Sequence, residues 1–80
     1  MLVELTEFLV KSIVKNPDIV SVKKLGEEEE TITIQVLVEN SDMGAVIGKN
    51  GNIAKAIRTI VQASSYKNNE PRVKIEIDSF

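Results

Sequence analysis

The sequence predicts an α+β domain in which three helices pack on one face of a three-stranded mixed sheet, in the order α-β-β-α-α-β. Three observations support this fold class. Apolar residues recur at helical spacing near the N-terminus, they alternate with polar residues in two later segments, and two helical segments meet at a Gly-x-x-Gly tetrapeptide. Because 80 residues suffice for one domain, residues 1–80 are assigned to a single domain.

The first helix is predicted at residues 2–15. Its apolar stripe consists of Leu2, Leu5, Leu9 and Ile13, widened by Val3, Val10 and Val14. Pro17 disfavours helical geometry at Asn16, so the helix is expected to end before that residue. Such a stripe ordinarily packs in a core, but this one is wide enough to contact a partner as well.

A hairpin of two strands is predicted next, at residues 19–25 and 31–39. In the second strand, four alternate residues form one apolar face: Ile32, Ile34, Val36 and Val38. The connection is expected to begin at Gly26 and to include Glu27 to Glu30. These glutamates are interpreted as a solvated turn whose mutual repulsion discourages edge pairing; binding of a basic partner is the alternative.

Two helices are predicted in the second half of the chain. Ser41 is expected to cap a short helix that has Asp42 in its first turn and ends at Gly48. A longer helix then runs from Gly51 to about Ser65. Its predicted buried stripe consists of Ile53, Ala56, Ile57 and Ile60.

The last strand is predicted at residues 72–78, after a polar connection that begins at Tyr66. Val73, Ile75 and Ile77 alternate with charged residues, which predicts one inward and one outward face.

Positive charge is concentrated around the two later helices. The net charge of the chain is −2, yet residues 43–67 contain no Asp or Glu. The four cations of that stretch are Lys49, Lys55, Arg58 and Lys67. This asymmetry is typical of a local anion-binding site on an otherwise acidic body.

The Gly-x-x-Gly tetrapeptide, Gly48 to Gly51, predicts a tight corner between the two helices. It is expected to leave backbone N–H groups free at the positive end of the second helix. Lys55 and Arg58 occupy the first turns of that helix, where carboxylates would stabilise it better. This combination favours binding of an extended phosphate backbone. The alternative is that the glycines only turn the chain.

Composition narrows the remaining function classes. The chain has no histidine and no cysteine, which removes the commonest general base and excludes disulfides and thiolate metal sites. An enzyme is therefore not expected, and neither is a metal or other cofactor. No apolar run approaches 18 residues, so no membrane partner is expected. A reducing cytoplasm fits the absence of cysteine.

The segment Ile47-Gly48-Lys49-Asn50-Gly51, followed by Ile53 and Ile57, resembles the I-G-x-x-G core of KH domains. The order of elements resembles the bacterial, type II arrangement of that fold. The likeness extends over nearly the whole chain to the KhpA family of small bacterial single-KH proteins, and it is most specific from Ser41 to Val61.

The resemblance implies that Gly48, Lys49, Asn50 and Gly51 grip the sugar–phosphate backbone of single-stranded RNA. Asn50 would tolerate left-handed backbone geometry. Lys55 and Arg58 would attract neighbouring phosphates. Ile47 and Ile53 would form the floor of a groove for the bases, with core packing as their alternative role. Tyr66 would stack on a base or simply lie at the surface.

The resemblance also implies a non-catalytic RNA chaperone. Its expected partners are RNA and a KhpB-like KH-containing protein, and its expected cellular role concerns envelope synthesis and cell length. A homodimer is compatible with this reading, because two grooves raise avidity without new contact types. The alternative function is a protein-interaction module that keeps a KH scaffold without using RNA.

Overall fold

The computed structural model describes residues 2–28, 31–67 and 72–80. Their helices and strands are α1 (Leu2–Lys11), β1 (Ser21–Glu28), β2 (Thr31–Val38), α2 (Met43–Ile47), α3 (Asn52–Lys67) and β3 (Arg72–Ser79). Short 3-10 turns lie at Pro17–Ile19, Asn40–Asp42 and Lys49–Gly51. The α+β fold class predicted from the sequence is confirmed.

The sheet is mixed, with strand order β1-β2-β3. β1 pairs antiparallel with β2, which confirms the hairpin, and β2 pairs parallel with β3. The alternation predicted for β2 is also confirmed, since its even-numbered residues are buried. The core contains Leu2, Val10, Val22, Ile32, Ile34, Val36, Val38, Val46, Ile57, Val61 and Ile75. Residues of all three helices thus cover the same face of the sheet.

The first strand of the hairpin differs from its predicted bounds. It begins at Ser21 rather than residue 19, and it continues through Gly26 to Glu28, where a turn was expected. The register shifts between Lys24 and Gly26, so Leu25 is an extra residue in a β-bulge. The bulge lets pairing continue past the glycine. The remaining part of the expected turn, residues 29–30, lies outside the described residues.

The first helix is shorter than predicted, because it ends at Lys11 instead of continuing to residue 15. The cause is Asp42, which is 2% exposed. Its carboxylate accepts hydrogen bonds from the backbone N–H groups of Lys15 (3.0 Å) and Asn16 (3.1 Å) and from the Asn16 side chain (3.0 Å). These bonds hold the chain in a non-helical path after the turn at Ser12 and Ile13.

The caps of the second helix also differ from the prediction. Glu39, rather than Ser41, caps the preceding 3-10 turn, and its carboxylate accepts hydrogen bonds from both the backbone N–H and the hydroxyl of Ser41. Asp42 does not simply stabilise the first turn of α2. It joins the start of α2 to the segment that follows α1.

The buried stripe of α3 is rotated by about one residue from the predicted one. Ala54, Ile57, Val61 and Ser65 are buried. Of the predicted stripe only Ile57 is buried, whereas Ala56 is exposed and Ile53 and Ile60 are 39% and 47% exposed. Both stripes satisfy helical periodicity, and the packing of α3 against α1 and β3 selects between them.

Asp42 gives the fold a predictable acid sensitivity. The Lys15 N–H, with further hydrogen bonds from Asn16, lowers the pKa of Asp42 below its ordinary value of 3.8, although burial opposes this shift. Since the folded pKa is the lower one, the stabilisation is complete above the unfolded pKa and is lost as pH falls through the folded pKa.

We therefore expect the thermal midpoint of the wild type to fall on acidification below about pH 4, the ordinary range of an aspartate. Asp42→Asn should lower the midpoint at pH 7, because one amide oxygen cannot accept three hydrogen bonds. The variant should also show a flatter pH dependence below about pH 4. Thermal melts monitored by circular dichroism would measure both effects. Parallel curves for the two proteins would contradict this role of Asp42.

No helix within the described ranges is both long and apolar enough to cross a bilayer.

Candidate functional site

The corner between α2 and α3 is built from left-handed backbone. Gly48 ends α2 with φ 74° and ψ 175°, and Gly51 has φ 75°. Asn50 lies between them with φ 57° and ψ 24°, and no other non-glycine residue in the described ranges has positive φ. The expectation that Asn50 tolerates left-handed geometry is confirmed, and such geometry is several-fold enriched in Asn and Asp.

The two glycines serve different purposes. A Cβ placed on Gly48 would lie 2.8 Å from the Cβ of Ile53 and 3.0 Å from its backbone N, so Ile53 packs directly over Gly48. A Cβ placed on Gly51 would have no atom of the described residues within 4 Å. Open approach to the backbone is therefore available at Gly51, whereas Gly48 is required for the packing of the corner itself.

Backbone amides of the corner are only partly free. The Gly48 N–H donates to Gly44 O at 2.8 Å, and the Gly51 N–H donates to Gly48 O at 3.2 Å. The Asn52 N–H donates to Lys49 O. Among the described residues, the N–H groups of Lys49 and Asn50 have no acceptor. Of the four amides of the Gly48–Gly51 corner, these two are therefore the ones without an acceptor in the described part of the chain.

One cationic side chain lies in the corner itself, and two more lie in the first two turns of α3. Lys49, Lys55 and Arg58 are exposed. Within the described parts of the chain, no carboxylate lies within 4 Å of their charged groups. Their charge is therefore available to an external anion.

An open groove of about 420 Å³ lies between α3 and β3. Its lining residues are Arg58, Thr59, Gln62, Ala63, Tyr66 and Val73. The α3 members recur at helical spacing, and the same face continues toward the N-terminus of α3 through Lys55 to the corner. The groove itself begins at Arg58, and Lys55 lies on the same side of the 16-residue helix between the groove and the glycine corner.

Two side chains of α3 cover the free edge of β3. Because β3 is an edge strand, one side of its backbone lacks a strand partner. The Gln62 Oε1 accepts a hydrogen bond from the Val73 N–H at 2.9 Å. The Nε and Nη2 of Arg58 both donate to Ile75 O, at 3.4 and 3.3 Å. These distances are long, and a guanidinium has five N–H donors, so Arg58 keeps three for an anion.

The predicted site residues divide between the corner and the groove. Gly48 to Gly51 form the corner, and Lys55 and Arg58 follow it on the groove side of α3. Ile47 and Ile53 are 38% and 39% exposed, so neither belongs to the fully buried core. Both remain partly available as an apolar floor beside the corner.

Two residues of the groove had no assigned binding role in the sequence prediction. Gln62 holds the β3 edge, and its Nε2 is buried without a partner among the described residues. Thr59 lies one residue after Arg58, and its hydroxyl donates to Lys55 O at 2.9 Å. Thr59 lies four residues after Lys55, and Gln62 lies four residues after Arg58. This helical spacing is the sequence signal that places Thr59 and Gln62 on the same face of α3 as the two cations. Tyr66, whose role the sequence left open, is 62% exposed at the far end of the groove.

The described residues contain no group of three or more His, Cys, Asp or Glu side chains arranged to hold a metal ion.

Comparison with known proteins shows which protein family this chain resembles. The family model described as KhpA/KhpB, KH domain, matches residues 3–77. The chain is 49% identical over 75 residues to the RNA-binding protein KhpA of Clostridium perfringens, covering 92% of this chain and 96% of that protein. It is 46% identical over 74 residues to the protein of the same name from Clostridium acetobutylicum, with the same coverage. The Borreliella burgdorferi protein of that name is 44% identical over 75 residues, covering 94% and 89% of the two chains.

Proposed function

Because the chain belongs to the KhpA/KhpB KH-domain family, we propose that it binds single-stranded RNA, without catalysis, through the Gly48–Gly51 corner and the adjoining α3–β3 groove. The observation that carries this proposal is the coincidence of three features at one corner. Gly51 is open to close approach, and within the part of the chain that the structure describes the Lys49 and Asn50 amides have no acceptor and the nearby cations have no carboxylate partner.

The proposed roles follow from position. The Lys49 and Asn50 amides and the Lys49 ammonium bind phosphate oxygens, because both residues are exposed and their N–H groups have no acceptor among the described residues. Lys55 and Arg58 bind the next phosphates along the helix. The bases, about four in a KH groove, lie between α3 and β3 with Ile47 and Ile53 as apolar contacts near the corner.

The salt dependence of binding tests this proposal. Two or three phosphate contacts on a single strand predict a log–log slope of about −1.4 to −2.1 for affinity against salt concentration. The measurement is a titration of the chain with a four-nucleotide oligouridylate at several salt concentrations, followed by NMR shifts of backbone amides. A slope near zero, or no binding at low salt, would contradict a backbone grip.

The proposal includes an RNA-chaperone role in the cytoplasm, a KhpB-like KH-containing partner or a second copy of the chain, and a link to envelope synthesis and cell length. These parts rest on the family resemblance. Crosslinking RNA to a tagged chain in cells, then identifying proteins that remain after ribonuclease treatment, tests RNA binding and the partner together. Recovery of proteins without any RNA would favour the protein-interaction module instead.

A further inference from the structure

A second groove adjoins the first at the edge of β3. It has a volume of about 550 Å³ and is lined by Thr31, Arg58, Arg72, Val73, Lys74 and Ile75. Arg58 and Val73 line both grooves, so the two meet where Arg58 crosses the edge of β3. A strand that follows the first groove therefore has a continuous path around this edge.

The two cationic side chains that β3 contributes to the second groove lie on the face of the sheet opposite the helices. In β3, Ile75 is buried on the helix side, so the alternating residues Arg72 and Lys74 leave the sheet on the other face. Both are exposed, and they pair in register with Thr31 and Thr33 of β2. Two cations and two hydroxyl-bearing residues thus form a polar patch at this end of the open face.

The side-chain charges on this face of β3 change from positive to negative along the strand. Three of the six residues that line the second groove are cations, and none is a carboxylate. Farther along the same face of β3 come Glu76 and Asp78. A polyanion is therefore attracted near Arg72 and repelled toward Asp78. Lys74 is only partly neutralised, because its ion pair with Glu76 is exposed and 3.6 Å long.

We propose that this patch, together with Arg58 at the junction of the two grooves, is a second backbone-binding site for single-stranded RNA longer than the α3–β3 groove holds. The inference rests on the proposed function. The strand leaves the first groove at Arg58, turns over the edge of β3 and places further phosphates at Arg72 and Lys74.

Comparing oligouridylates of four and eight nucleotides tests the proposal. If two additional phosphates bind, the salt slope for eight nucleotides should be steeper by about 1.4, which is about a 25-fold larger loss of affinity over a tenfold rise in salt. In the double variant Arg72→Gln with Lys74→Gln, the salt slope for eight nucleotides should fall to the slope for four nucleotides. Its affinity for four nucleotides should stay within about twofold of the wild-type affinity. Lys11→Gln with Lys23→Gln removes the same charge elsewhere and should retain the steeper slope.

A second pair of variants guards against a folding defect. Glu76→Gln frees Lys74, and should raise affinity for eight nucleotides by about two- to fivefold. Glu7→Gln is the matched control, because Glu7 pairs with Lys11 at the same distance of 3.6 Å. Equal slopes for four and eight nucleotides in the wild type, or equal effects of the two glutamate changes, would overturn the second site alone. Failure of the wild type to bind four nucleotides would instead overturn the proposed function, and this inference with it.

Discussion

Replacing Lys49 and Asn50 together by aspartate is expected to weaken RNA binding by roughly 100-fold or more. The change removes a charge-assisted contact, worth about 1.5–3 kcal/mol, and adds two anions where phosphates would lie. The fold should survive, because Lys49 is exposed and Asp tolerates the left-handed geometry that Asn50 adopts with φ 57°. Titration with an oligouridylate and circular dichroism of the same sample provide the measurement.

The matched control for this variant is Lys11→Asp with Ser12→Asp. It applies the same charge change to another exposed lysine and its neutral polar neighbour, at the end of α1. Any loss of affinity in the control measures the general effect of a more acidic protein. Binding that persists in the Lys49 and Asn50 variant, or that is lost equally in both, would contradict a grip at the corner.

Local patterns were enough to predict the sheet and the corner. The alternation in β2, which only Leu37 interrupts, predicts one buried and one less buried face, and the structure has both. The left-handed backbone at Asn50 follows from the residue type and its position between two glycines. In each case the physical cause lies within a few residues of its effect, which is why sequence alone reveals it.

The features that sequence could not reveal depend on contacts between distant segments. Asp42 ends α1 through hydrogen bonds to residues 26 and 27 positions away, so nothing near Lys11 indicates the helix end. The rotated stripe of α3 has a related cause, since isoleucines occur on more than one side of the helix and only tertiary packing selects the buried side. Because Ile53 lies outside the buried stripe, its side chain remains partly exposed near the proposed site.

Gly48→Ala is expected to destabilise the domain by about 2–4 kcal/mol. Its φ of 74° and ψ of 175° fall in a region used almost only by glycine, which costs about 1–3 kcal/mol, and the added Cβ would meet Ile53. A domain of this length has a total stability of roughly 4–12 kcal/mol, so the loss is a large fraction. The thermal midpoint should fall by roughly 10–30 °C.

Gly51→Ala is the control for Gly48→Ala, because φ is also positive there (75°) but the space is open. It should cost only about 1–2 kcal/mol, from left-handed strain. Denaturant unfolding of both variants would measure the difference. Equal losses would show that the contact with Ile53 contributes nothing.

Combining Gly48→Ala with Ile53→Ala separates packing from backbone strain. If the clash with Ile53 contributes, the double variant should be less destabilised than the sum of the single variants, by about 0.5–3 kcal/mol. Rescue should be incomplete, because Ile53→Ala leaves the Cβ and backbone N that would lie 2.8 and 3.0 Å from the new methyl group. The remaining strain would have to be relieved by moving the start of α3 away from α2. That movement would also displace the Lys49 and Asn50 amides, so RNA affinity should stay reduced even where stability recovers. Strict additivity of the two changes would contradict the packing role of Gly48, and full recovery of RNA affinity would contradict its role in placing the corner.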